Sequence, residues 1–104
     1  MQGYFSLFFM LVLIMLLNTA QLHAVEPGRE TYNEYCFICH GTGMQDVPQF
    51  GDVEHWTSRT EKGMEALYNA AIYGINAMPP MGLCDECTEE QMKEAVDYMV
   101  NSSH

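Results

Sequence analysis

Basic side chains are almost missing from this chain. Arg29, Arg59, Lys62 and Lys93 are the only arginines and lysines in 104 residues, against 14 aspartates and glutamates, and the formal net charge is −10. Phosphate recognition needs clustered Lys and Arg, so the composition argues against a nucleic-acid partner. It suits basic partners and salt-sensitive association, or simply solubility. Also absent is an apolar run of the ~20 residues that a bilayer-spanning helix needs. The longest run goes from Phe5 to Leu17, broken only by Ser6, and matches a signal-peptide core of about 7–15 residues. No Lys or Arg precedes it, unlike the usual leader, which keeps an uncleaved anchor as the rival reading. Repeats and low-complexity segments are lacking too.

Small and polar residues come after the apolar run: Asn18, Thr19 and Ala20, then Leu22-His23-Ala24, an acceptable cleavage site. The expected organisation is a signal peptide over 1–24 and one domain over 25–104, exported to the periplasm. All Asp, Glu, Lys and Arg residues lie in the second part. Its 80 residues are few for burying enough apolar surface unaided. An oxidising compartment would permit a disulfide.

The organising stretch is Cys36-Phe37-Ile38-Cys39-His40. Two cysteines separated by two residues, with histidine directly after, form the attachment signature of a c-type haem. Each thiol can form a thioether to a vinyl group, and the adjacent imidazole is placed to ligate iron. A porphyrin would also supply the apolar plate that so short a chain lacks. Redox dithiols and zinc knuckles share the bare Cys-x-x-Cys. A second pair at Cys84 and Cys87 therefore keeps a four-cysteine zinc module in play. Yet 44 residues lie between Cys39 and Cys84, against about 15–20 in common zinc ribbons.

Pro48 lies eight positions past His40, near enough for its carbonyl to accept the imidazole Nδ1–H and leave Nε2 for a metal. Further on, Ile75-Asn76-Ala77-Met78-Pro79-Pro80-Met81-Gly82 puts Met78 on a stiff, non-helical support, because proline fixes its own φ and extends the residue before it. A thioether held this way suits the sixth position of haem iron, and Met/His ligation raises haem potential. Met81 competes for that role. Arg59 is a candidate for pairing with a haem propionate. For Cys84-Asp85-Glu86-Cys87 the first choice is a small-ring disulfide. A redox-active pair is the alternative, disfavoured by two acids that would oppose thiolate formation.

Three helices are expected. Gly28 to Cys36 places Gly28, Tyr32, Tyr35 and Cys36 on one face, with Pro27 suited to the first turn. Glu61 to Tyr73 carries Met64, Leu67, Tyr68, Ala71 and Ile72 as an apolar stripe, with Ser58 and Glu61 at capping-box spacing and Gly74 as terminator. The last begins at Thr88, with Gln91 completing a capping box and Met92, Ala95, Val96, Met99 and Val100 on one face.

With these residues laid out, the chain resembles a small class I cytochrome c, and most closely the bacterial cytochrome c5 family. Cys36-x-x-Cys39-His40, Gly51-Asp52, Trp56-x-x-Arg59, Lys62-Gly63-Met64, Asn76-Ala77-Met78-Pro79-Pro80 and Cys84-x-x-Cys87 carry the resemblance. It implies an all-α fold around one covalent haem c, with crossing N- and C-terminal helices. It also implies axial ligation by His40 and Met78, support of the histidine by Pro48, and a Cys84–Cys87 disulfide. The implied activity is one-electron transfer in the periplasm without substrate turnover. Partners would be redox proteins, a membrane-bound oxidase or reductase among them. Family members usually carry a basic residue where Met81 stands, so partners of relatives do not transfer directly. A haem protein with an exchangeable sixth site, a sensor or enzyme subunit, is the alternative.

Overall fold

The structure, a computed structural model, describes residues 2–17 and 24–103. The expected cleavage site lies partly outside the described residues, since Leu22 and His23 are not among them. Helix α1 (Gln2–Leu17) is apolar along nearly its whole length, and every residue from Gln2 to Met15 is exposed. Among the described residues, no helix is long and apolar enough to cross a membrane.

A second helical segment runs from Arg29 to His40, longer than the periodicity suggested. It begins as α2 (Arg29–Thr31), widens into a π-turn over Tyr32–Cys36 and closes as α3 (Phe37–His40). Single π-turns within helices occur often at functional sites, and this one ends at Cys36. Pro27 stands outside the helix, in the turn before its N-cap Gly28. Tyr32 and Cys36 are buried and Tyr35 half-buried, while Arg29, Glu30, Asn33 and Glu34 face solvent. The anticipated face is the buried one.

Helix α4 (Val53–Thr60) was not anticipated. Asp52 caps it by accepting from His55 N at 3.2 Å, and Trp56 is its buried residue. Ser58, expected as a helix cap, lies inside α4 and donates to its own His55 carbonyl. Helix α5 (Met64–Tyr73) therefore starts after Gly63, without a side-chain cap. It buries Ala71 and Ile72 and half-buries Met64, Leu67 and Tyr68 against the core. Gly74 ends it at φ 86°, and a Cβ there would meet the carbonyl of Met78 at 2.9 Å. Only glycine lets the following loop fold back so tightly.

That loop leads through an antiparallel bridge, Ile75–Met78, into a 3₁₀ turn, Pro80–Leu83, and then α6 (Glu89–Asn101). The capping box of Thr88 and Gln91 is complete, and Met92, Ala95, Val96, Met99 and Val100 are all buried. Each of the buried Met and Val side chains contributes about 1.5–3 kcal/mol on full burial, which makes α6 the spine of the core. It packs on α5 and crosses α2 and the π-turn. At the crossing, a Cβ on Gly28 would lie 2.0 Å from the carbonyl oxygen of Glu94. Tyr32 sits there in an aromatic group, 4.8 Å from the Phe50 ring and 5.5 Å from that of Tyr98. No strand is present among the described residues, and the fold is all-α.

Where α5 meets α6, the Tyr68 hydroxyl donates to Asp97 Oδ1 at 2.5 Å, beneath Lys93 at 5.7 Å from the ring centroid. The Asp97 bond, then burial, raises the Tyr68 hydroxyl from its ordinary 10.0 to about 12. A folded-state pKa above the unfolded one gives stability that is complete below pH 10 and disappears as pH rises through 12. Tyr68→Phe is therefore expected to lose little further stability between those pH values. Far-UV melts of both proteins across that range check it; equal alkaline loss would contradict it.

Candidate functional site

Four cysteines divide into two pairs. Cys84 and Cys87 are bonded to each other as a disulfide, and Thr88 comes directly after them, so only Cys36 to His40 carries the full pentapeptide. Cys36 and Cys39 are both free, the first buried and the second half-buried. Burial, and secondly the neighbouring Cys39, pushes the Cys36 thiol up to about 11. A thiol so held is a poor free nucleophile. A four-cysteine zinc site is incompatible with the Cys84–Cys87 bond.

His40, the last residue of α3, is buried. Its Nδ1 lies 2.7 Å from the carbonyl oxygen of Pro48. A carbonyl only accepts, so Nδ1 carries the proton and Nε2 keeps its lone pair. Burial lowers the pKa of His40, opposed by the Pro48 bond and assisted by the charge of Arg59. Burial and Arg59 thus favour the neutral imidazole, the form that binds metal. Its ring centroid lies 6.0 Å from that of Trp56. The loop after α3 is fastened to the histidine a second time, since Phe50 N donates to His40 O at 2.7 Å.

Arg59, on α4, is half-buried and donates from Nη1 to the His55 carbonyl in its own helix. Met78 is half-buried and its backbone is fixed by reciprocal bonds with Ile75, at 3.1 and 2.9 Å. Its thioether methyl and that of Met92 each lie 3.7 Å from where a Cβ on Gly82 would stand. Met81 is half-buried as well, with left-handed backbone at φ 59°. Both methionines pack against the core that includes Cys36.

Gln49 was missed by sequence reasoning. Its side-chain amide donates toward the carbonyls of Cys39 (3.0 Å), Val47 (3.1 Å) and Met44 (3.3 Å), and its Oε1 accepts from Gly43 N at 2.8 Å. Its own carbonyl accepts from Trp56 Nε1 at 2.9 Å. No motif marks it; the only hint was a glutamine between Pro48 and Phe50. Ser103 was missed likewise. It is buried, donates to Met99 O, and accepts from Gly51 N, tying the end of α6 to the same loop.

The donor set fits a covalent haem: two unpaired thiols of the right spacing, and next to them a buried neutral imidazole with Nδ1 already engaged. The family described as cytochrome C oxidase, cbb3-type, subunit III matches residues 23–99. Cytochrome c5 of Azotobacter vinelandii is 36% identical over 74 residues, 69% of this chain and 89% of that protein. The structure of a mono-heme ferrocytochrome c from Shewanella putrefaciens is similar with a TM-score of 0.64 and 32% identity, over 78% of this chain and 99% of that one. A cytochrome c in an electron-transfer complex with nitrite reductase is similar with a TM-score of 0.70 and 29% identity, over 79% of this chain and 100% of that one. The chain belongs to this family of class I cytochromes c, electron-transfer proteins with one covalently bound haem c. Within it, the similarity to cytochrome c5 expected from the motifs is present.

Proposed function

We propose that this chain is an exported one-electron carrier whose haem is tethered through Cys36 and Cys39 and ligated axially by His40 and Met78. The observation that carries the reading is the 2.7 Å bond between His40 Nδ1 and Pro48 O. It fixes the tautomer, aims the ring and makes Nε2 more basic. When bound, haem c supplies a single-electron ferric/ferrous couple. The polypeptide holds the two ligands still. His40 is fastened through its side chain and its backbone carbonyl. Met78 stands before two prolines with its own backbone bridged to Ile75. Arg59, close enough to act on His40 electrostatically, is assigned to a haem propionate. The Cys84–Cys87 bond is expected to persist in an oxidising periplasm.

Residues 1–24 act in this reading as a signal peptide removed after Ala24, which leaves 25–104 as the working domain. The relative in complex with nitrite reductase supports a redox protein as partner, a membrane-bound oxidase or reductase included. A net charge of −10 favours a basic docking face and rates that fall with salt. The test is absorption spectroscopy of the mature wild type with and without carbon monoxide. A methionine-to-iron charge-transfer band in the ferric protein, and a ferrous spectrum unmoved by carbon monoxide, are expected. Ready carbon monoxide binding would overturn the carrier reading in favour of an exchangeable sixth site.

A further inference from the structure

We propose that Gln49 is a positioning residue for His40, setting the reduction potential through the carbonyl of Pro48. That carbonyl belongs to the peptide unit joining Pro48 to Gln49, and the units around it are held by Gln49. On the near side, Gln49 Nε2 donates to Val47 O, which precedes the proline. On the far side, Gln49 O accepts from the buried Trp56 indole and from Asp52 N at 3.0 Å. The same side chain reaches back to Cys39 O, one residue before His40, and accepts from Gly43 N. One amide has two protons for the three carbonyls near it, so the donors are shared. The half-buried Gln49 side chain thus ties four points of the loop together, beside the Phe50 N–His40 O backbone bond. Proline contributes a rigid φ but no N–H, so the Val47–Pro48 peptide unit can be held only through the Val47 carbonyl, which Gln49 Nε2 bonds. The clamp at Gln49 thereby positions the Pro48 carbonyl.

The consequence for the metal is electronic. A short, steady bond from Nδ1–H to a carbonyl raises the basicity of the ligating nitrogen, and a more basic ligand stabilises ferric over ferrous iron. Loosening the clamp lets the Pro48 carbonyl wander, weakens that bond on average and raises the potential. The inference rests on His40 being an iron ligand, which the wild-type spectrum reads independently of any change at Gln49.

Two variants separate positioning from mere loop stability. Gln49→Met keeps the length but removes every polar contact of the side chain, leaving those of the Gln49 carbonyl. Gln49→Glu keeps the acceptor for Gly43 N and loses both donors. The Gln49→Met holoprotein is expected to have a higher potential than wild type with the methionine charge-transfer band retained, while Gln49→Glu, whose added negative charge itself lowers the potential, is read by proton exchange. By proton NMR of the ferrous protein, solvent exchange of the His40 Nδ1 proton should be about tenfold faster, as for loss of roughly 1.4 kcal/mol of protection. A variant that melts earlier with unchanged potential and exchange would overturn the proposal. Should neither variant mature, the wild type decides. Its Gly43 amide and His40 Nδ1 protons should become exchangeable together with denaturant, and a freely exchanging Gly43 beside a protected Nδ1 would refute the clamp.

Discussion

Met78→Ala is expected to lower the reduction potential by on the order of 100 mV or more, within the roughly 0.8 V over which axial ligands set haem potentials. A thioether is a neutral, soft ligand that favours the ferrous state, and water or hydroxide in its place favours the ferric one. The variant should also lose the methionine charge-transfer band and bind carbon monoxide when reduced. Little loss of packing confuses the result, because Met78 is only half-buried. Met81→Ala is the necessary comparison. Met81 is equally close to the core but has left-handed backbone, whereas the Met78 backbone is bridged to Ile75 and braced by Pro79. If Met81→Ala removes the band and Met78→Ala leaves it, the ligand assignment is reversed.

Gly28→Ala is expected to have the largest effect on stability, about 3 kcal/mol or more. Two costs combine. An alanine at φ 83° costs about 1–2 kcal/mol for left-handed backbone. Its Cβ would also lie 2.0 Å from Glu94 O, 2.3 Å from Glu94 C and 2.6 Å from Ala95 N. These are backbone atoms, so no side-chain rotation relieves the overlap and α2 must part from α6. For a domain of this size, a loss of about 3 kcal/mol corresponds to a fall in Tm of roughly 12–24 °C. Gly43→Ala is the internal control, since φ is 75° and nothing lies within 4 Å of its Cβ position. A Gly28→Ala melt within a few degrees of the control would contradict the close crossing.

Legibility followed local physics. Helix α6 could be read from Thr88 to Val100 because cap, capping-box partner and apolar face all lie within one segment and agree. The pairing of His40 with Pro48 was legible for a related reason, a spacing that one loop must bridge. Helix α4 was not, because Ser58 and Glu61 imitate a capping box while the working cap, Asp52, follows a glycine in what reads as a turn. That false cap set the expected start of the next helix at Glu61, whereas α4 ends at Thr60 and α5 begins only after Gly63. The extension of the second helix past Cys36 was hidden by the π-turn, which shifts the period in mid-segment. Gln49 was invisible. Its bonds reach backbone groups of Cys39, Gly43, Met44 and Val47, and any residue offers those; only the folded loop selects them. Ser103, 52 positions from Gly51, shows the same limit at long range.

The most direct measurement is the mass and colour of the mature protein after acid denaturation and extraction with organic solvent. The account predicts that haem stays with the polypeptide, adding one haem mass to a peptide containing Cys36 and Cys39, with Cys84 and Cys87 still joined. A colourless chain whose haem passes into the solvent, or whose Cys36 and Cys39 thiols react freely with alkylating reagent, would contradict it.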